Sequence, residues 1–134
     1  MRFSRIVVTA ALLVSPTFLR AQDSQSDQDR QRSEMIKMKS DLRNLVTAQE
    51  AYYAGHNAYA AELDGLSFRS SAGVTISFTA TQNNAWGAEA RNDALPNIVC
   101  GIYVNLAEKY RPKVSVETKA AEGEPTCMDT SKKP

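Results

Sequence analysis

The sequence predicts an α+β domain in which a long N-terminal helix packs on a small antiparallel sheet of three or four strands, closed by one C-terminal disulfide. Three observations carry that expectation. Met35, Met38, Leu42, Leu45, Gln49 and Tyr52 recur at alternating spacings of three and four, the stripe of one helix face. After Gly73 the period drops to two: Val74, Ile76, Phe78 and Ala80 alternate with Thr75, Ser77 and Thr79. The two cysteines, Cys100 and Cys127, stand one in an apolar strand and one in the polar tail. At 134 residues there is room for one domain with one core.

Residues 1–21 read as a secretory signal peptide. Arg2 and Arg5 form a positive n-region, residues 6–14 are apolar apart from Thr9, and Ala21 is a small residue at a plausible cleavage point before Gln22. Even extended to Leu19, the apolar stretch is shorter than the roughly 20 residues of a spanning helix. The expectation is therefore a protein secreted to the periplasm or the outside, with membrane attachment only if this segment is kept. Residues 22–33, QDSQSDQDRQRS, are wholly polar and are expected to form a solvated arm.

The globular domain is placed at residues 34–128. Its helix is expected over 34–54, about 31 Å long, with Gly55 as the stop. Lys37, Lys39, Asp41, Arg43 and Asn44 fall to its outward faces. Met35, Met38, Leu42, Leu45 and Tyr52 form the core face, or alternatively a face for a partner helix. Residues 60–66 suggest a short helix anchored by Tyr59, Leu63, Leu66 and Phe68. Strands follow at 74–80, at 85–91 with Trp86, Ala88 and Ala90 on one face, and at 98–105 with Cys100, Ile102 and Val104 sharing a face. Residues 113–118, with Val114 and Val116, suggest a fourth, edge-like strand, and residues 129–134 a disordered tail.

Cleavage after Ala21 would remove Arg2, Arg5 and Arg20 and no acidic residue, turning the formal charge of +1 slightly negative. Such a chain has no long-range attraction for phosphate backbones, so nucleic acid is not an expected partner. Two cysteines in an exported chain most simply form one disulfide. Closing a loop of about two dozen residues is worth roughly 3–4 kcal/mol. A reactive or metal-binding thiol pair would want close spacing and histidine neighbours, and neither is present.

The segments KSDLRNLVTAQEAYYAGHNAYAAEL, GVTISF, AWGAEA, CGIYV and EGEPTC, taken in this order, resemble the globular half of type IV pilin-like proteins, which include the pseudopilins of secretion systems. The resemblance runs from about Lys39 to Cys127. It implies a long helix across a small antiparallel sheet, a Cys100–Cys127 disulfide closing a C-terminal loop, and protein partners in a pilus or type II secretion-like assembly. The chain departs from the pattern at its start. It lacks the Phe-Thr-Leu-type beginning and the early acidic residue in a long apolar helix. Burying residues 22–33 in a filament core would leave polar groups unpartnered at roughly 1–3 kcal/mol each. The expected product is a soluble pilin-like head.

No catalytic, cofactor or metal-binding set emerges. His56 is the only histidine, which removes any histidine cage or second base. Ser70 and Ser71 lack a nucleophile-elbow context. Asp41, Glu50, Glu62 and Asp64 read as solvated surface charge, and RNDALPN lacks the oxygen-ligand spacing of a calcium loop. Most aromatics fall on faces that a helix–sheet interface would bury, while Tyr53, Tyr103 and Tyr110 are candidates for exposed contacts. The expectation is a non-enzymatic structural or interaction protein. The alternatives are a free-standing binding module for a small ligand, glycan or protein and, more remotely, a small hydrolase.

Overall fold

The computed structural model describes residues 17–132, with side chains from residue 23. The n-region and apolar run of the expected signal peptide lie outside the described residues. Helix α1 (Thr17–His56) is followed by strands β1 (Val74–Gln82), β2 (Ala85–Asn92) and β3 (Ile98–Val104), the short helix α2 (Lys113–Glu117) and strand β4 (Thr126–Asp129). The four strands form one antiparallel sheet in the order β1-β2-β3-β4. The fold is thus α+β: one long helix on a four-stranded antiparallel sheet, with a Cys100–Cys127 disulfide.

α1 is 40 residues long, about 60 Å. Among its described side chains the packed ones begin at Glu34: Met38, Leu42, Leu45 and Gln49 are fully buried against Ile76, Trp86, Ala88, Ala90, Cys100 and Ile102. Each buried Leu or Met there contributes about 1.5–3 kcal/mol. The expected polar arm is helical too. From Asp23 to Ser33 every side chain is exposed. The segment holds neither glycine nor proline, so each added residue gains a backbone bond on a nucleus that the packed half has already formed. Arg30 and Asp27 add an ion pair at 3.0 Å on that surface. The helix stops at Asn57, whose φ of 54° is the left-handed C-cap conformation that asparagine tolerates, rather than at Gly55.

The strand boundaries fall within two residues of the sequence expectation, with two differences of pattern. A bulge between Phe78 and Ala80 inserts Thr79, which flips the phase. Val74, Ile76 and Phe78 therefore pack under α1, whereas Ala80 joins Ala85, Tyr103 and Leu106 on the other face. Residues 113–118 are not a strand. Pro112 starts a single helical turn, with Ser115 and Val116 N–H groups donating to its carbonyl at 2.9 and 3.2 Å. The β3 edge that a fourth strand needed is taken by β4, which Cys127 sets opposite Cys100.

The sheet is covered on both faces. Under α2, Gly87 and Gly101 leave room for Leu106, Pro112 and Val114 to touch the strand backbone. A Cβ on Gly101 would fall on Val114, and one on Gly87 would lie 2.9 Å from Leu106 Cδ1. The tail is also held where it begins: Asp129 pairs with Ile98, and the Thr130 N–H and hydroxyl both donate to the Asn97 carbonyl.

Candidate functional site

Of the helix face named from sequence, Met38, Leu42 and Leu45 are fully buried, and Met35 and Tyr52 pack half-buried at its two ends. Three polar pins fix α1 to the loops around it. The Gln49 amide donates to the Ala60 carbonyl at 2.9 Å and accepts from the Ala60 N–H at 2.8 Å. Asp41 is buried rather than solvated: its carboxylate accepts from the Ser71 N–H at 2.7 Å and the Ser71 hydroxyl at 2.9 Å. Its position explains this, for it stands three residues after Met38 and four before Leu45, on the inward stripe itself. At the start of the packed half, Glu34 accepts from Lys37 at 2.7 Å and from the Asn92 amide at 2.9 Å. The Lys37 contact first, then Asn92, hold the Glu34 carboxyl below its ordinary range.

The disulfide joins residues directly opposed in the β3–β4 register. Cys100 is fully buried, and the Met38 sulfur lies 4.0 Å from its Sγ, so the crosslink is part of the core beneath α1.

The three tyrosines proposed for exposed contacts separate. Tyr110 is 45% exposed, with the Lys109 ammonium 4.7 Å over its ring. Tyr53 is half-buried, its ring tilted against Tyr59 with centroids 4.8 Å apart. Tyr103 is buried on the α2 face, donating its hydroxyl to the Ala120 carbonyl at 3.0 Å. No aromatic platform joins the three. The packed aromatic group is instead Tyr53, Tyr59, Trp86 and Phe78, the last two edge-on at 5.9 Å. Burial, and then the hydroxyl bond to Glu50 at 2.7 Å, push the Tyr59 phenol up to about 12. The Trp86 indole N–H is buried without a protein partner.

His56 stacks flat on Tyr52, centroids 3.8 Å apart, and its Nδ1–H donates to the Tyr52 carbonyl at 2.9 Å. Ser71 is engaged by Asp41. Asn92 uses its side chain to cap the 93–97 turn and to hold Glu34. Among the described residues no group of three or more His, Cys, Asp or Glu is placed to hold a metal ion. No described helix is long and apolar enough to cross a membrane.

A cavity of about 370 Å³ lies on the face away from α1, lined by Glu108, Arg111, Ser115, Val116, Lys119 and Ala120. The strand-like alternation of residues 113–118 conceals this lining in the sequence. Pro112 ahead of Lys113 was the available signal, since proline favours the first position of a helix.

Comparison with known protein families, with curated proteins and with solved structures gives no match. The class of protein is therefore defined by architecture alone: a disulfide-closed α+β head on a helix that continues well past it.

Proposed function

We propose that the chain is a non-enzymatic exported protein with a structural or interaction role, pilin-like in layout, whose head is held out on a helical arm toward protein partners in a pilus or secretion-like assembly. One observation carries this reading. α1 runs about 16 Å beyond its packed part as an exposed, wholly polar helix from Asp23 to Ser33. A domain that needed α1 only as core would have no use for that length. The order of parts also supports it: helix, antiparallel sheet, then a disulfide that returns the C-terminal segment to the sheet.

Intact mass measured on protein from its native host, with membrane, soluble and medium fractions separated, tests the exported reading. A soluble species starting at Gln22 and lacking two hydrogens supports it. An uncleaved species in the membrane fraction shows that the N-terminal segment is kept as an anchor. An uncleaved, fully reduced chain in the cytoplasm refutes export and the assembly role with it.

The second reading, a free-standing module for a small ligand, is favoured by the cavity beside α2 with its two cationic side chains.

A further inference from the structure

We propose that the cavity beside α2 binds a small ligand through one oxyanion group, a carboxylate or a phosphate. The site goes beyond the assembly role and is independent of it, because it lies on the sheet face that α1 does not cover.

Arg111 is the centre of the site. Its Nε–H donates to the Leu106 carbonyl at 2.9 Å, and its guanidinium carbon sits 4.2 Å over the Tyr103 ring. Tyr103 is itself buried and tied to Ala120, which lines the same cavity. The guanidinium is thus fixed in position by its inner nitrogen and its flat face. Among the described residues its two outer nitrogens meet no carboxylate and no other acceptor within bonding distance. A planar fork held this way presents parallel N–H donors, the geometry that pairs with a carboxylate or phosphate.

Two further residues line the same space. Ser115 lines the cavity and is 98% buried, and its Oγ has no hydrogen-bond partner in the protein. That hydroxyl is enclosed between α2 and β3, 3.3 Å from where a Cβ on Gly101 would stand, so it is packed beneath the helix and is not a contact for the ligand. Lys119 follows α2 with φ of 52°, a conformation glycine or asparagine adopts at far lower strain. Its side chain is the second cation of the lining. Glu108 is the single acidic side chain of the lining, so the cavity carries one excess positive charge and selects anions. Val116 and Ala120 give it an apolar wall for the remainder of the ligand.

The test is an amide chemical-shift titration of the full chain, disulfide intact, at low salt, with succinate and separately with inorganic phosphate. Saturable shifts confined to residues around 108–120 are expected. Tighter binding of succinate assigns the site to carboxylates, and tighter binding of phosphate assigns it to phosphate esters. Arg111→Gln should weaken binding by about tenfold or more, the loss expected for one charge-assisted pair. Lys119→Gln should weaken it by a smaller factor, and it carries the test if Arg111→Gln fails to fold. Lys109→Gln removes a nearby cation that sits over Tyr110 and does not line the cavity, and it should leave affinity unchanged. Absence of saturable shifts with both anions overturns the proposal. So does equal weakening by Lys109→Gln and Lys119→Gln, which would reduce the effect to net charge.

Discussion

Gly101→Ala tests whether α2 really packs on the sheet. Gly101 sits in β3 between Glu89 and Thr126. A methyl group added there would overlap Val114 Cγ1, and it would lie 3.1 Å from Pro112 Cβ and 3.3 Å from Ser115 Oγ. Val114 and Ser115 are both buried, so none of these atoms can yield by swinging into solvent. Overpacking of this kind costs about 1–3 kcal/mol, and alanine regains about 0.5–1 kcal/mol of strand propensity over glycine. The expected net loss is about 1–2 kcal/mol, roughly 4–10 °C in Tm for a domain of this size. If α2 lifted off altogether, the ceiling would be the burial of Val114, about 1.5–3 kcal/mol. Urea unfolding followed by Trp86 fluorescence is the assay, since Trp86 is the only tryptophan and is fully buried. Gly55→Ala is the control: nothing lies within 4 Å of its added methyl, and it should stabilise α1 by about 0.5–1 kcal/mol. Val114→Ala should relieve Gly101→Ala, leaving the double variant at least about 0.5 kcal/mol more stable than additivity predicts. A neutral Gly101→Ala with no coupling to Val114 would refute the packing of α2 on β3.

Three further outcomes are expected. Replacing both cysteines with serine should cost about 3–4 kcal/mol under oxidising conditions, read as a fall in Tm, because the loop between them is freed in the unfolded chain; an unchanged Tm would remove the staple from the account. Asp41→Ala should lose about 2–4 kcal/mol by urea unfolding, since the Ser71 N–H and hydroxyl lose a charged acceptor at 2.7 and 2.9 Å; a loss as small as that of an exposed Arg43→Ala would contradict its burial. Glu34 has a folded pKa below its ordinary 4.5, so its contribution is present above the unfolded value and is lost as pH falls through the folded one. Wild type should therefore melt above Glu34→Gln at neutral pH, and the two curves should converge in acid; a constant gap down to pH about 2 would show that the carboxylate charge is not what matters.

The packed half of α1 and the first three strands were legible because burial there repeats at the period of the element. Met38, Leu42 and Leu45 at spacings of four and three admit one helix face, and Val74, Ile76 and Phe78 one strand face. What escaped the sequence is what periodicity does not encode. The charge of Asp41 points to solvent while its spacing puts it on the inward stripe, and only the position of Ser71, across a long loop, shows its partner. Thr79 carries no mark of a bulge, so the alternation ran one residue too far. Val114-Ser115-Val116 has the same alternation in a strand as in one turn of helix. The outcome was decided by competition for the β3 edge, which the disulfide awards to β4. The cavity was invisible for the same reason, because Arg111, Ser115 and Lys119 line one space only once α2 is a helix.

The two halves of α1 are helical for different reasons, and the difference bears on any assembly role. The half that packs is fixed by a core of Met38, Leu42 and Leu45 and by the pins at Glu34, Asp41 and Gln49. The half that projects has no apolar side chain between Asp23 and Ser33, so its order is propagated from the head and declines away from it. Its surface offers alternating charges, among them Asp27, Asp29, Arg30 and Arg32, and nothing to draw it out of water. A partner lying along it would be held by ion pairs and hydrogen bonds in a wet interface, each worth little and screened by salt. Such contacts set register and orientation better than they set affinity. Tight association would have to come from elsewhere. The nearest exposed apolar side chain is Ile36, 60% exposed where the arm meets the head. In the proposed assembly role the arm would set the spacing and alignment of the head, and an adhesive contact would fall at the junction.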